Sequence, residues 1–304
     1  MVRASESVIL TIGGVLNDSA RPLKERFRAL FTLKNIGGAT AINQISRCFK
    51  DESALLKHEL AYCLGQMKDP KAISILTNVL EDLSQEPMVR HEAGEALGAI
   101  GEPSVIPLLE KYRKDPVPEV AETCELALDR LKWLESNTNT ENLQNNPYST
   151  VDPAPPADIT NVDNLQEILL DENKSLFDRY RAMFSLRNLG TKESILALTK
   201  GLKAGSALFK HEVAFVLGQL QEEASVPGLR ASLENTEENE MVRHECAEAL
   251  GSIATPECYK ILNKYLNDSK RVVHESCVIA LDMCDYENSS EFQYADTLTK
   301  LPTA

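Results

Sequence analysis

The chain contains a copy of itself. Lys57-His-Glu-Leu-Ala-Tyr-Cys-Leu-Gly-Gln66 returns as Lys210-His-Glu-Val-Ala-Phe-Val-Leu-Gly-Gln219, 153 residues later. Met88-Val-Arg-His-Glu92 returns as Met241-Val-Arg-His-Glu245 and Leu30-Phe-Thr-Leu-Lys-Asn-Ile-Gly37 as Met183-Phe-Ser-Leu-Arg-Asn-Leu-Gly190, at the same offset. A shorter period lies inside each half: Phe27, His58, His91 and Ala121 align with Tyr180, His211, His244 and His274, in steps of 31, 33 and 30 residues in both halves. Such a unit cannot bury its apolar faces alone and must stack on its neighbours.

The apolar residues fall at helical spacing. Ala72, Ile73, Leu76 and Leu80 line one helix, and Leu60, Cys63 and Leu64 the other helix type, with no strand-like alternation. The expected fold is all-α: a HEAT-type superhelical solenoid of eight helical hairpins, four in each duplicated half. The N-terminal half spans 1–136 and the C-terminal half 163–292. Between them, 137–162 is rich in Asn, Thr and Pro, including Pro153, Pro155 and Pro156, and is expected to be a flexible linker. From Gln293 to 304 no pattern is evident, and this tail is expected to be disordered.

The 304 residues carry 46 Asp and Glu against 32 Lys and Arg, a formal net charge of −14. Nucleic-acid phosphates demand Lys/Arg surfaces, so no nucleic-acid partner is expected, whereas a cationic partner is accommodated. The plain alternative is acidity for solubility. The apolar run Val8 to Leu16 is broken by Thr11 and two glycines and falls well short of the ~20 residues of a membrane span. No signal-peptide pattern frames it, and a cytoplasmic protein is expected. Seven cysteines without a Cys-x-x-Cys fit reduced thiols serving as small buried hydrophobes.

All five histidines are followed by Glu: His58-Glu59, His91-Glu92, His211-Glu212, His244-Glu245 and His274-Glu275. Equivalent positions of successive repeats fall on one surface, with neighbouring helices about 8–10 Å apart. His58 with His91, and His211 with His244, are thus positioned to converge on an ion. Three and seven residues beyond these histidines, on the same helix face, stand only small residues: Ala61 and Gly65, Gly94 and Gly98, Ala214 and Gly218, Ala247 and Gly251. Elsewhere the equivalent positions are large or charged, as with Leu30 and Lys34, or Met183 and Arg187. Small residues here either clear space for ions and a ligand or allow close helix packing. His274 aligns with Ala121 and has Cys277 and Leu281 on its face, and is left out of the site.

Imidazole with carboxylate, and no thiolate in the pattern, suits Fe, Mn or Zn. Two histidines and one carboxylate leave open positions on an ion, as in non-haem Fe(II) oxygen chemistry. The same ligands could instead hold two Zn or Mn ions for hydrolysis. One carboxylate per ion would suffice, which leaves a second glutamate in each half for a cationic substrate. Met88 and Met241, three residues before His91 and His244, either line the pocket or fill the core.

The eight-hairpin layout, the midchain linker and the motifs Lys57-His-Glu59, Arg90-His-Glu92, Lys210-His-Glu212 and Arg243-His-Glu245 closely resemble the deoxyhypusine hydroxylase family. The resemblance covers nearly the whole chain outside the linker and tail. It implies a di-iron monooxygenase that uses two Fe2+ ions and O2 to hydroxylate the deoxyhypusine side chain of translation initiation factor 5A. It also implies that His58, His91 and Glu92 hold one iron and His211, His244 and Glu245 the other, with Glu59 and Glu212 contacting the substrate amines or supporting the ligands. The rival readings are a non-catalytic HEAT scaffold that binds a protein partner and a dinuclear hydrolase.

Overall fold

The computed structural model describes residues 4–137 and 146–300. Among them there are helices and no strands, as the periodicity predicts. The helices pair in chain order into eight hairpins. The first unit holds α1 (Glu6–Asn17) with α2 (Leu23–Ile36), α3 (Gly38–Ser46) with α4 (Ala54–Met67), α5 (Ile73–Glu81) with α6 (Pro87–Ile100), and α7 (Ile106–Tyr112) with α8 (Pro118–Ser136). The second holds α9 (Val162–Leu170) with α10 (Leu176–Leu189), α11 (Lys192–Gly201) with α12 (Ala207–Leu220), α13 (Val226–Glu234) with α14 (Glu240–Ile253), and α15 (Pro256–Lys264) with α16 (Arg271–Glu287). A short α17 (Thr297–Lys300) follows. Two compact units result, 1–128 with 290–304 and 129–289, so that α8 begins in the first and ends in the second. No helix among the described residues is long and apolar enough to cross a membrane.

Within each unit the second helices of successive hairpins stack side by side, and an ionic rung sets their rotation. At three repeat positions the arginine one residue before supplies it. Arg90 Nε donates to the Leu80 carbonyl at the end of α5, while its two terminal nitrogens reach the Asp115 carboxylate at 3.3 and 2.6 Å. Arg243 repeats this with Leu233 and Asp268 at 3.3 and 2.6 Å, and Arg26 with Leu16 and Asp51. Each aspartate also accepts the backbone N–H of Val117, Lys270 or Ser53. One guanidinium therefore satisfies an otherwise orphaned helix-end carbonyl and ties it to the turn inside the next hairpin. Burial opposes the charged Asp115 and Asp268, but the Arg90 and Arg243 guanidiniums outweigh it and hold both carboxyls below the usual range.

The small residues follow the packing alternative. A Cβ added to Gly65 would lie 2.7 Å from the Ala96 Cα, one on Gly98 2.7 Å from the Ala127 Cβ, one on Gly218 3.0 Å from the Ala249 Cα, and one on Gly251 2.7 Å from the Ala280 Cα. These glycines let adjacent helices touch backbone to backbone. The space they vacate is occupied by the next helix, and the expectation that they clear room for a ligand is corrected at these four positions.

Two segments expected to be loose make specific contacts. Of the stretch expected to be a flexible linker, 138–145 lies outside the described residues, but 146–157 is docked within the second unit. Arg187 grips Asp152 with two nitrogens at 2.9 and 2.7 Å, Arg130 Nε donates to the Asp152 carbonyl, and the Ala157 N–H and carbonyl bond Arg181 and Ser185. Proline excludes regular structure but not burial: Pro153, Ala154 and Pro155 are buried. Of the expected tail, 301–304 lies outside the described residues. Residues 290–300 pack on α2, where Arg28 pairs with Glu291 and Asp296 at 2.8 Å each and stacks on Tyr294. Thr297 N–H donates to the Thr32 hydroxyl.

Candidate metal centre

The site helices begin and end where their chemistry dictates. Ser53 Oγ caps α4 by accepting the Leu56 N–H, Ser206 Oγ does the same for Phe209 on α12, and Asn239 caps α14 through Met241 N–H. Pro87 opens α6 at a position where its missing donor is harmless. Gly101 ends α6 at φ +82, in the left-handed region that glycine enters without penalty.

On this frame the first unit brings His58 and His91 together, with ring centroids 5.5 Å apart and planes tilted by 45°. His58 Nε2 lies 3.3 Å from Glu92 Oε2, and His58 Nδ1 3.7 Å from Glu59 Oε1. One ligand atom from each of His58, His91 and Glu92 falls within 4.8 Å of the others, and all three residues are buried. Glu59 stands on the opposite edge of the His58 ring from Glu92. The second unit repeats the arrangement. His211 and His244 have centroids 5.2 Å apart at 43°, and His211 Nε2 lies 3.3 Å from Glu245 Oε2. His91 and His244 are fully buried, and Glu212 is buried as well.

The electrostatics favour a cation. Burial works against a charged His58, yet the Glu92 and Glu59 carboxylates outweigh it and hold the imidazole well above its ordinary 6.5. A pair of carboxylates that attracts a proton so strongly attracts a metal cation by the same charge. Among the described residues no cysteine joins these groups of candidate ligand atoms. Burial, reinforced by the Glu59 and Glu92 charges, pushes the Cys63 thiol well above 9.0. All seven cysteines are free and buried, as expected of small hydrophobes.

Met88 and Met241 are 6% and 3% exposed in the first turns of α6 and α14, which suits a core filler and a dry pocket wall alike. His274 stands apart, its Nδ1 hydrogen-bonded to the Leu266 carbonyl. The sequence reading missed Glu248, which shares a cluster of candidate ligand atoms with His244 and Glu245. Its signal was available: His244-Glu245-x-x-Glu248 matches His91-Glu92-x-x-Glu95, while Tyr62 and Phe215 stand at that position after His58 and His211.

Residues 45–129 and 195–282 match the family described as HEAT repeats, and 178–204 the PBS lyase HEAT-like repeat. The chain is 67% identical over 298 residues to the deoxyhypusine hydroxylase of Drosophila melanogaster, covering 98% of each chain. To that of Homo sapiens it is 58% identical over 297 residues, again 98% of each. A solved structure of human deoxyhypusine hydroxylase in complex with glycerol superposes with a TM-score of 0.90 at 59% identity, covering 92% of this chain and 97% of that one.

Proposed function

The chain belongs to the deoxyhypusine hydroxylase family, a family of enzymes that hydroxylate deoxyhypusine, and on that premise we propose a di-iron monooxygenase that uses O2 to complete hypusine on translation initiation factor 5A in the cytoplasm. The observation that carries the metal is the buried cluster of His58, His91 and Glu92, repeated by His211, His244 and Glu245 in the second unit. Two imidazoles and a carboxylate match the donor set of non-haem iron, and no neighbouring thiolate competes. Bound there, iron supplies the oxygen activation that hydroxylating an unactivated carbon requires.

The remaining work falls to the chain. His58 and His91 in one unit, and His211 and His244 in the other, hold their ion from helices fixed by the Arg90 and Arg243 rungs. Glu59 and Glu212 supply negative charge beyond what the ions need. Deoxyhypusine is a long polyamine-like cation on a lysine, and its ammonium groups pair with these carboxylates, which orients the side chain. The net charge of −14 draws such a cation in. Family membership sets aside the non-catalytic scaffold and the hydrolase.

The test is metal analysis of the purified protein beside a hydroxylation assay on initiation factor 5A bearing deoxyhypusine. Near two irons per chain, with O2-dependent conversion to hypusine, is the expected result. Zinc in place of iron, or hydroxylation undiminished in iron-free protein, would overturn the proposal.

A further inference from the structure

A metal-bound imidazole is held in place through its other ring nitrogen, which usually donates to a carboxylate, a backbone carbonyl or water. For His244 the structure supplies that partner. Glu248 lies one turn further along α14, with Oε1 3.6 Å from His244 Nδ1, and its carboxylate accepts a hydrogen bond of 3.2 Å from the Ser276 hydroxyl on α16. The His244 side chain is fully buried and that of Glu248 is 13% exposed, so the pair is shielded from solvent. The contact is longer than a hydrogen bond, and such contacts tighten when the site is filled.

We propose that Glu248 is a positioning residue for His244: its carboxylate accepts a hydrogen bond from Nδ1–H, which fixes the tautomer that presents Nε2 to the metal, and it is itself held by Ser276. The inference rests on the metal reading given above. Glu248 falls in a group of candidate ligand atoms with His244 and Glu245, but its place against Nδ1 decides its role. The two ring nitrogens point in diverging directions. A carboxylate set against Nδ1 therefore lies off the edge from which Nε2 would bind, and it does not share an ion with Nε2. In His211, as in His58, it is Nε2 that faces the carboxylate assigned to the metal, Glu245 at 3.3 Å and Glu92 at 3.3 Å. The carboxylate one turn on is specific to one of the two helix types: Phe215 occupies that place after His211.

The experiment uses the full chain with imidazole-labelled histidine and Zn2+ as a diamagnetic probe, following each site by titration and the His244 Nδ1–H by NMR. Wild type should bind Zn2+ in both units and show a slowly exchanging, downfield Nδ1–H from His244. Glu248→Ala should weaken the second-unit site by about ten- to a hundredfold and abolish that resonance. Zn2+ affinity at His58 and His91 should be unchanged, which also reports that the variant is folded. Glu248→Gln, which retains an acceptor oxygen, should restore most of the affinity, and Ser276→Ala should weaken binding less than Glu248→Ala. If Glu248→Ala binds Zn2+ like wild type with the resonance in place, the inference falls while the metal reading stands. If Glu248→Gln is as damaging as Glu248→Ala with the resonance unchanged, Glu248 is a ligand and the inference falls. A wild-type chain that binds no Zn2+ overturns both.

Discussion

Replacing Gly251 by Ala separates the two roles that small residues on the histidine-bearing helices could play. A Cβ at this position would sit 2.7 Å from both the Cα and Cβ of Ala280 and 2.8 Å from its carbonyl oxygen. Two of those three atoms are backbone, so relief requires α14 and α16 to separate. Such overpacking costs about 1–3 kcal/mol. Against it stands the gain of about 1 kcal/mol from replacing glycine within a helix. The expected net loss is up to about 2 kcal/mol, read as a fall in melting temperature of up to about 8 °C. Gly94→Ala is the control. Its Cβ would meet only the Cys124 sulfur and the Thr123 methyl at 3.4 Å, so stability should hold or rise by up to about 1 kcal/mol. A further variant tests the mechanism directly. In Gly98→Ala the nearest atom is the Ala127 Cβ at 2.7 Å, with the Cα behind it at 3.2 Å, so Ala127→Gly should recover most of the loss. Ala280→Gly should recover little in the Gly251→Ala background, because the backbone contacts persist. Thermal and urea unfolding read all of these. A Gly251→Ala chain as stable as wild type, but with weakened substrate binding, would refute the packing account and restore the reading of a cleared ligand face.

Four further outcomes are expected. His58→Ala or His244→Ala should lower iron content and abolish hydroxylation while circular dichroism stays helical, since stability is spread over neighbouring hairpins; His274→Ala, which removes a ring bonded to the Leu266 carbonyl, should keep both iron and activity. Glu59→Gln or Glu212→Gln should weaken substrate binding about ten- to a hundredfold, the equivalent of about 1.5–3 kcal/mol, with iron retained, whereas Glu92→Gln and Glu245→Gln should lose metal; equal iron loss in all four would show that all four glutamates are ligands. Asp152→Ala removes the carboxylate of the fully buried Arg187 guanidinium and leaves it the neutral acceptors Gln219 and Asn188, which should cost up to about 3–5 kcal/mol, with proteolysis near 146–157 as a second readout; an unchanged urea midpoint would refute that account of the connector. Burial raises the Cys48 thiol from its ordinary 9.0 to about 11 and those of Cys124, Cys277 and Cys284 to about 12. Folded chains thus keep protons that unfolded chains lose, and stability should fall as pH rises from 9 toward 11–12; native protein at pH 8 should resist thiol reagents until unfolded.

The hairpins and the histidine pairs were legible in the sequence for one physical reason. Stacked repeats convert a spacing along the chain into a position in space, so the 33-residue step from His58 to His91 becomes two rings 5.5 Å apart. Features that do not repeat were not legible. Arg187 and Asp152 meet across 35 residues with no periodic signal, and proline-rich composition describes the backbone of 146–157 without saying that it is buried. The glycines were visible but ambiguous, because only the identity of the opposing residues, Ala96, Ala127, Ala249 and Ala280, shows that the vacated space is filled by a neighbouring helix. Glu248 was not legible for a different reason: the small residues that mark the histidine-bearing face stand third and seventh after each histidine, and the carboxylate stands at the fourth.

The docking of 290–300 on α2 bears on the order in which the protein comes into being. Hairpins of the first unit leave the ribosome early, but the carboxylates that neutralise Arg28 follow only after residues 129–289 have been made. At about 5–20 residues per second, that interval is about 8–32 s. For that time α2 waits with a cation and the face of Phe31 exposed where Tyr294 will later cover them. The first unit is thus the first to be started and the last to be finished, and a nascent chain arrested before residue 290 offers quality-control factors an opening that the finished protein has closed.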